Sequence, residues 1–228
     1  MDYSEFYKKF GGSLRSKHLY THGLKHALSY LKGTFNQNNK REWTLPNESA
    51  LPKDYIRLDP WEGEYLFYQA GKAKKGIIET GRFHGGSTFL LACANNNSPI
   101  WSIDIEPQND NLLRKYFSDF NVGANVDLII GDSQNTKYPQ IKSYDLLWID
   151  GDHSYQGCTN DLQNWWPNLE NGGHVILHDC YNGCEVKESV IDFIAKNKTH
   201  IDVIIQPNKN HNHWHCPEGS FVHFVKKV

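Results

Sequence analysis

Gly76-Ile77-Ile78-Glu79-Thr80-Gly81-Arg82-Phe83-His84-Gly85-Gly86-Ser87-Thr88 is the stretch that decides the fold. A short apolar run ends on an acid, a glycine-rich turn follows, and a helix is expected to begin near Ser87. Gly81 and the Gly85-Gly86 pair can take backbone angles that side chains forbid, and they let a ligand approach the main chain. The unpaired N–H groups of the helix start face the same spot. An open parallel sheet receives its ligand beyond the carboxyl ends of its strands, which is where Glu79 falls. A carboxylate there suits ribose hydroxyls or a cationic ligand and repels phosphate. The pattern E-x-G-x-x-x-G-G-S-T is not the G-x-G-x-x-G of nicotinamide enzymes.

Downstream of this turn, apolar strands and amphipathic helices alternate, which predicts an α/β parallel sheet. Strands are expected over 100–105, 126–130, 144–149 and 174–177. They end at Asp104, Gly131-Asp132-Ser133, Asp150 and His178-Asp179, so these acids and Glu79 converge on one crevice. Any single acid there could be a helix cap, but the set together points to a site. Cys158, Leu162, Trp165, Trp166 and Leu169 keep helical spacing up to Gly172-Gly173, and Val186, Val190, Phe193 and Ile194 do so after the fifth strand. Two further strands, 201–205 and 221–225, close the chain around a histidine-rich loop.

Upstream, Asp59-Pro60 reads as the N-cap and first position of a helix leading into the first strand. Tyr20, Leu24, Ala27, Leu28 and Leu31 fall on one face of an earlier helix ending near Gly33. Residues 1–58 carry no nucleotide motif. They read either as a helical cap packed on the sheet or as a lid or dimer surface over the site, the latter making the chain a homo-oligomer. Residues 59–228 then form the catalytic domain.

Of the 228 residues, 39% are hydrophobic and 22% charged, a globular balance rather than a disordered one. A net charge of −2 gives no reason to expect a nucleic-acid partner. Met1-Asp2-Tyr3-Ser4-Glu5 is acidic, so no signal peptide is expected there, and no apolar run approaches the ~20 residues of a membrane span. The 5 cysteines, an odd number in a chain of this size, fit reduced thiols in a cytoplasm.

Glu79 to Thr88, Asp104, Gly131-Asp132-Ser133, the block Trp148-Ile149-Asp150-Gly151-Asp152-His153-Ser154-Tyr155, and Asn171-Gly172-Gly173 to His178-Asp179 resemble a class I S-adenosylmethionine (SAM) methyltransferase. The D-G-D-H-S-Y block, with its Trp-Trp helix and Gly-Gly, is similar to a subgroup of small-molecule and sugar O-methyltransferases. Macrolide-sugar enzymes and the cephalosporin-biosynthesis methyltransferase subunit belong to it. The resemblance covers roughly residues 59–205. It implies a Rossmann-like sheet of seven strands in the order 3-2-1-4-5-7-6, the last strand antiparallel.

The resemblance also implies roles. Glu79, Gly81, Gly85 and Ser87 would line the methionine part of SAM, Asp104 would hold the ribose, and Asp132 with Ser133 the adenine edge. Phe83, Thr88, Ile105, Gly131 and Asp150 complete the implied cofactor set. His153 would be the catalytic base, beside Asp150. Asp150, His178 and Asp179 take the positions of a metal set, which implies magnesium or another divalent cation. Relatives have an acid where His178 stands, so this edge is expected to hold either no metal or a softer ion than magnesium.

The expected activity is methyl transfer to a hydroxyl of a small molecule or sugar, with no nucleic-acid or membrane partner. Trp61, Tyr65, Trp148 and Trp214 are expected near the crevice as walls for a ring-shaped acceptor. A nicotinamide-dependent oxidoreductase or epimerase and a non-catalytic SAM-fold scaffold subunit are the rival readings. A second cluster, Cys180, Cys184, His211, His213, His215 and Cys216, belongs to loops that the implied topology brings to the same edge. Zinc accepts such ligands, but the spacing matches no common zinc pattern, and substrate contact by His213 or Trp214 is the preferred reading.

Overall fold

β1 (Ile77–Thr80) is buried along its whole length because it pairs in parallel with β2 (Ile100–Asp104) on one side and β4 (Tyr144–Ile149) on the other. The computed structural model describes residues 1–14, 49–136, 138–181, 183–205 and 221–228. β3 (Val126–Ile130) flanks β2, and β5 (Leu169–Leu177) flanks β4, again in parallel. β6 (Ile201–Ile205) and β7 (Val222–Lys226) complete a seven-stranded sheet in the order β3-β2-β1-β4-β5-β7-β6. β7 runs antiparallel to both neighbours. The α/β class and the strand order expected above are both observed.

Side chains alternate across a strand, so sequence neighbours sort into opposite cores. Ile77, Ile100, Leu146, Trp148 and Ile176 enter one core, packed by α1 (Tyr3–Phe10), α2 (Pro60–Ala70), α3 (Gly86–Ala94) and α4 (Asp110–Phe120). Ile78, Ile103, Leu147, Ile149, Val175 and Leu177 enter the other, against α5 (Tyr155–Trp165) and α6 (Glu185–Lys196). Burial on both faces leaves only the strand ends for chemistry.

α1 is not among the elements expected from the pattern. It begins with a capping box in which Asp2 accepts from the Glu5 amide at 2.9 Å, and it buries Tyr3, Phe6, Tyr7 and Phe10 at helical spacing. Phe6 lies 5.1 Å from Phe67 and Phe10 lies 5.0 Å from Phe89, centroid to centroid, so this helix joins the core of the sheet. α2 starts as read, with Asp59 at its N-cap, Pro60 first, and Glu62 accepting from the Asp59 amide at 2.8 Å. The helix read over Tyr20–Leu31 lies outside the described residues.

One boundary differs. The helix through Leu162 stops at Trp165 rather than at Gly172-Gly173, because Pro167 brings no N–H to continue it. After a single 3₁₀ turn the chain enters β5 at Leu169. The glycine pair sits inside that strand, where the register against β4 slips between Tyr144 and Leu146 and Gly172 takes φ 76°. It makes a bulge, not a helix stop. No helix among the described residues is long and apolar enough to cross a membrane.

Candidate active site

The strand ends open into a cleft of ≈ 490 Å³. Ligand pockets commonly span roughly 300–1,000 Å³, so one cofactor-sized ligand fits. Its β1–β2 side is built by the glycine loop. Gly81 turns with φ 81°, and a side chain there would meet the Asp150 carbonyl at 2.2 Å, so only glycine lets β1 and β4 end this close together. Phe83 holds a left-handed φ of 49°, rare for a bulky residue. Asp104 sustains it: one carboxylate oxygen accepts from the amides of Arg82 and Phe83, each at 2.8 Å, and the other from Glu106 at 2.8 Å.

Below the loop lies buried polar chemistry. Glu79 is fully buried and accepts from the hydroxyls of Ser87, Thr88 and Ser102, each at 2.6 Å. Burial pushes its carboxyl up, against those hydrogen bonds and the nearby Arg82. The Arg82 guanidinium forms a bidentate pair with Asp110 at 2.7 and 2.8 Å and donates to the carbonyls of Ser102 and Ile129. Asp161, reaching in from α5, accepts from Thr80 at 2.9 Å and Ser133 at 2.7 Å. These contacts tie β1, β2, β3 and α5 together directly under the cleft.

The β4–β5 side is different in kind. Asp150 Oδ1 lies 3.0 Å from His178 Nδ1 and 3.4 Å from His153 Nε2. Asp179 Oδ2 lies 3.5 Å from the same His178 nitrogen and 3.3 Å from the same His153 nitrogen. The four groups form a ring of alternating carboxylate and imidazole. His178 is 2% exposed, and its Nε2 faces Glu62 of α2 at 3.3 Å. Burial works against charge on His178, but Asp150 and Glu62 outweigh it and hold the imidazole well above its ordinary value. Burial would likewise raise the Asp150 carboxyl, yet the charge on His178 and hydrogen bonds from both histidines keep it low. The hydrogen bond to Asp150 raises His153, against partial burial.

Gly81, Phe83, Ser87, Asp104, Ile105, Asp132, Ser133, Asp150, His153, His178 and Asp179 line the cleft together. Glu79, Gly85, Thr88 and Gly131 do not. Glu79 and Thr88 are occupied with each other beneath the floor, a Cβ on Gly85 would meet Leu113 at 2.5 Å, and one on Gly131 would meet the Tyr138 hydroxyl at 2.5 Å. They shape the cleft from behind.

The expected aromatic wall is also corrected. Trp148 is fully buried against His178 and Phe221, and Tyr65 bonds His223 at 2.6 Å, so neither reaches the cleft. Tyr55 and Phe83 line it instead. The Trp61 side chain and Trp214 lie outside the described structure. So do His211, His213, His215 and Cys216. Cys180 is buried, and Cys184 caps α6 by accepting from the Lys187 amide, so these two thiols are occupied by packing and capping.

Pattern reading missed Glu62, Arg82, Asp161 and the strap through Tyr55, Arg57 and Leu58. The Tyr55 hydroxyl donates to the His84 carbonyl at 2.9 Å, which clamps the glycine loop. Asp161 left a trace in the sequence: a carboxylate on the apolar face of a helix. Glu62 left none beyond its place in a capping box.

Residues 78–180 match the family described as a methyltransferase domain. Uncharacterized protein R132 of Acanthamoeba polyphaga mimivirus is 32% identical over 111 residues, 45% of this chain and 50% of that protein. The chain thus spans about half the length of the curated relative it matches. Among solved structures, the O-methyltransferase NovP superposes with a TM-score of 0.60 at 17% identity, over 90% of this chain and 99% of that one. An rRNA methylase from Streptococcus thermophilus superposes with a TM-score of 0.57 at 15% identity, over 72% and 96%. TomG from Streptomyces achromogenes, an O-methyltransferase solved with SAM, gives 0.60 at 14%, over 77% and 84%. At these identities the likeness shows the fold alone, that of class I methyltransferases.

Proposed function

We propose that this chain transfers a methyl group from SAM to a hydroxyl of a small molecule or sugar. The observation that carries the reading is an acidic cleft, suited to a cationic cofactor, that opens onto the Asp150–His153 pair. Bound SAM supplies an electrophilic methyl on a sulfonium centre. The chain's task is alignment and removal of one proton.

The residues present fit that cofactor. A carboxylate offers about four lone-pair directions. Asp104 has filled those facing the Arg82, Phe83 and Glu106 amides, which leaves one for a ribose hydroxyl. Ile105, 72% exposed, and Phe83, 43% exposed, flank it with apolar surface suited to a purine face. Ser133 and the Asp132 backbone close the adenine edge. Asp132 accepts from the Gln134 amide at 2.8 Å, which fixes that turn.

His153 serves as the base. Its Nε2–H donates toward Asp150 and Asp179, which leaves the Nδ1 lone pair for the acceptor's proton. The paired carboxylates then stabilise the imidazolium that forms.

The acceptor is small and carries no phosphate backbone. Asp132, Asp150, Asp152 and Asp179 line the cleft and repel phosphate. Among the described lining residues the arginines are already engaged, Arg82 with Asp110 and Arg57 over the Phe83 ring at 5.2 Å. The segment read as cap or lid contributes the Tyr55–Leu58 wall.

Calorimetry with S-adenosylhomocysteine, the demethylated cofactor, should show micromolar binding, with NAD and NADP silent. Tight NAD binding without it would replace this reading with the oxidoreductase. A screen that turned over tRNA but no sugar or phenol would overturn the acceptor class.

Magnesium, the first ion the resemblance implies, does not fit. Magnesium takes near-octahedral oxygen ligands, whereas this edge presents two carboxylates already bridged by histidine nitrogens.

A further inference from the structure

Asp161 of α5 is a fully buried carboxylate that the chemistry proposed above does not use. Each of its oxygens accepts one hydroxyl: Oδ1 from Ser133 at 2.7 Å and Oδ2 from Thr80 at 2.9 Å. A hydroxyl has one proton and two lone-pair directions, and an ionised carboxylate only accepts. Ser133 lines the cleft, yet its proton is directed inward to Asp161. Only its lone pairs are left for a ligand.

The donors around Ser133 are engaged in the same way. The Gln134 amide and the Asn135 side chain donate to Asp132 at 2.8 and 2.9 Å, and the Gln134 side chain donates to Asp152 at 3.2 Å. Asn164 and the Trp165 indole donate to the Ser133 carbonyl at 2.7 and 3.0 Å. The side-chain atoms this corner of the cleft offers a ligand are thus the Ser133 hydroxyl oxygen and the Asp132 and Asp152 carboxylates. All are acceptors. A ligand group that meets them must donate, as the exocyclic amine of adenine does and a ring carbonyl does not.

We propose that Asp161 is a positioning residue that fixes Ser133 as an acceptor, and so makes this corner select a 6-amino purine over a 6-oxo purine. The inference rests on the reading of the cleft as a SAM site and names the group that sets which base the site takes. A 6-oxo group would set its lone pairs against those of Ser133 and leave both without a donor, which costs affinity. With Asp161 removed, the Ser133 hydroxyl is free to turn its proton toward the cleft and serve either base.

The test is calorimetry on the full chain with two ligands, S-adenosylhomocysteine and its deaminated analogue S-inosylhomocysteine. It is run at pH 8, above the value of about 6 to which burial pushes Asp161, so that this carboxylate is ionised. Wild type should bind the adenosyl ligand at least about tenfold tighter than the inosyl one. In Asp161→Ala the ratio should shrink to within about threefold, chiefly because the inosyl ligand binds better. Ser133→Ala removes the acceptor itself and should narrow the ratio from the other side, by weakening the adenosyl ligand. Thermal melts establish that each variant is folded, and Ser133→Ala carries the test if Asp161→Ala does not fold. A merely structural role for Asp161 would weaken both ligands equally and leave the ratio as in wild type, which overturns the proposal. So does an unchanged ratio in folded Ser133→Ala. Equal binding of the two ligands to wild type overturns it while the cofactor reading stands. If neither ligand binds wild type, the cofactor reading falls and this inference falls with it.

Discussion

The two halves of the cleft hold their carboxylates in opposite ways. On the β1–β2 side, Glu79 and Asp104 receive short hydrogen bonds of 2.6–2.8 Å from hydroxyls and backbone amides. Those donors cannot change charge near neutral pH, so this half is a fixed mould. On the β4–β5 side, Asp150 and Asp179 face imidazoles at 3.0–3.5 Å. An imidazole, unlike a hydroxyl or an amide, can change charge near neutral pH. On the proposed function the difference separates two tasks: one half fixes where a ligand sits, and the other controls where a proton goes.

That division can be broken by mutation. The largest effect should come from the β4–β5 side. His153→Ala should lower turnover by ~10²–10⁴ while leaving S-adenosylhomocysteine affinity nearly unchanged. Single-turnover assays with an accepted hydroxyl substrate measure the first, and calorimetry the second. Equal losses in both would mean the halves are not separate, and full activity would move the base elsewhere.

The mirror experiment is Asp104→Ala. It removes the acceptor for the Arg82, Phe83 and Glu106 amides and frees the strained Phe83. Affinity for S-adenosylhomocysteine should fall by on the order of 1.5–3 kcal/mol, with turnover at saturation much less affected. A turnover loss matching that of His153→Ala would contradict the mould.

Asp161 lies beneath the junction of the halves and sharpens the comparison through pH. Burial pushes its carboxyl to about 6, against hydrogen bonds from Ser133 and Thr80. The folded state therefore binds this proton more tightly than the unfolded state. Stability from this group is present below the ordinary carboxylate value of ~3.9 and is lost as pH rises through the folded value. Urea unfolding of wild type should lose on the order of 2 kcal/mol between pH 4 and 7 relative to Asp161→Asn. Parallel pH profiles would show that Asp161 is not held in this way.

The smallest effect is expected at the rim. Arg57→Ala removes a cation from the Phe83 ring, a contact of roughly 0.5–1 kcal/mol at an exposed site. S-adenosylhomocysteine affinity should weaken by no more than about fivefold. A larger loss would make Arg57 a direct ligand contact.

What the sequence determined by itself is local and periodic. Alternating burial of Ile77 and Ile78, or of Leu146 and Leu147, is legible because a strand's period of two residues maps directly onto two cores. The acids at the strand ends are legible because parallel strands all end at one edge. The capping box of α1 and its Tyr3, Phe6, Tyr7 and Phe10 face were equally legible and simply fell outside the motif-bearing region. Other features depend on which elements touch, and no window of sequence contains that. Glu79 looks like a ligand residue until Ser87, Thr88 and Ser102 are seen closing over it. Trp148 looks like a cleft wall until β4 turns it into the core. His178 sits in the strand-end motif, but only the fold shows that Glu62, 116 residues away in the chain, faces its second nitrogen. Packing across the sheet sets a side chain's partners, so the contacts of the β4–β5 edge were decided only by the tertiary structure.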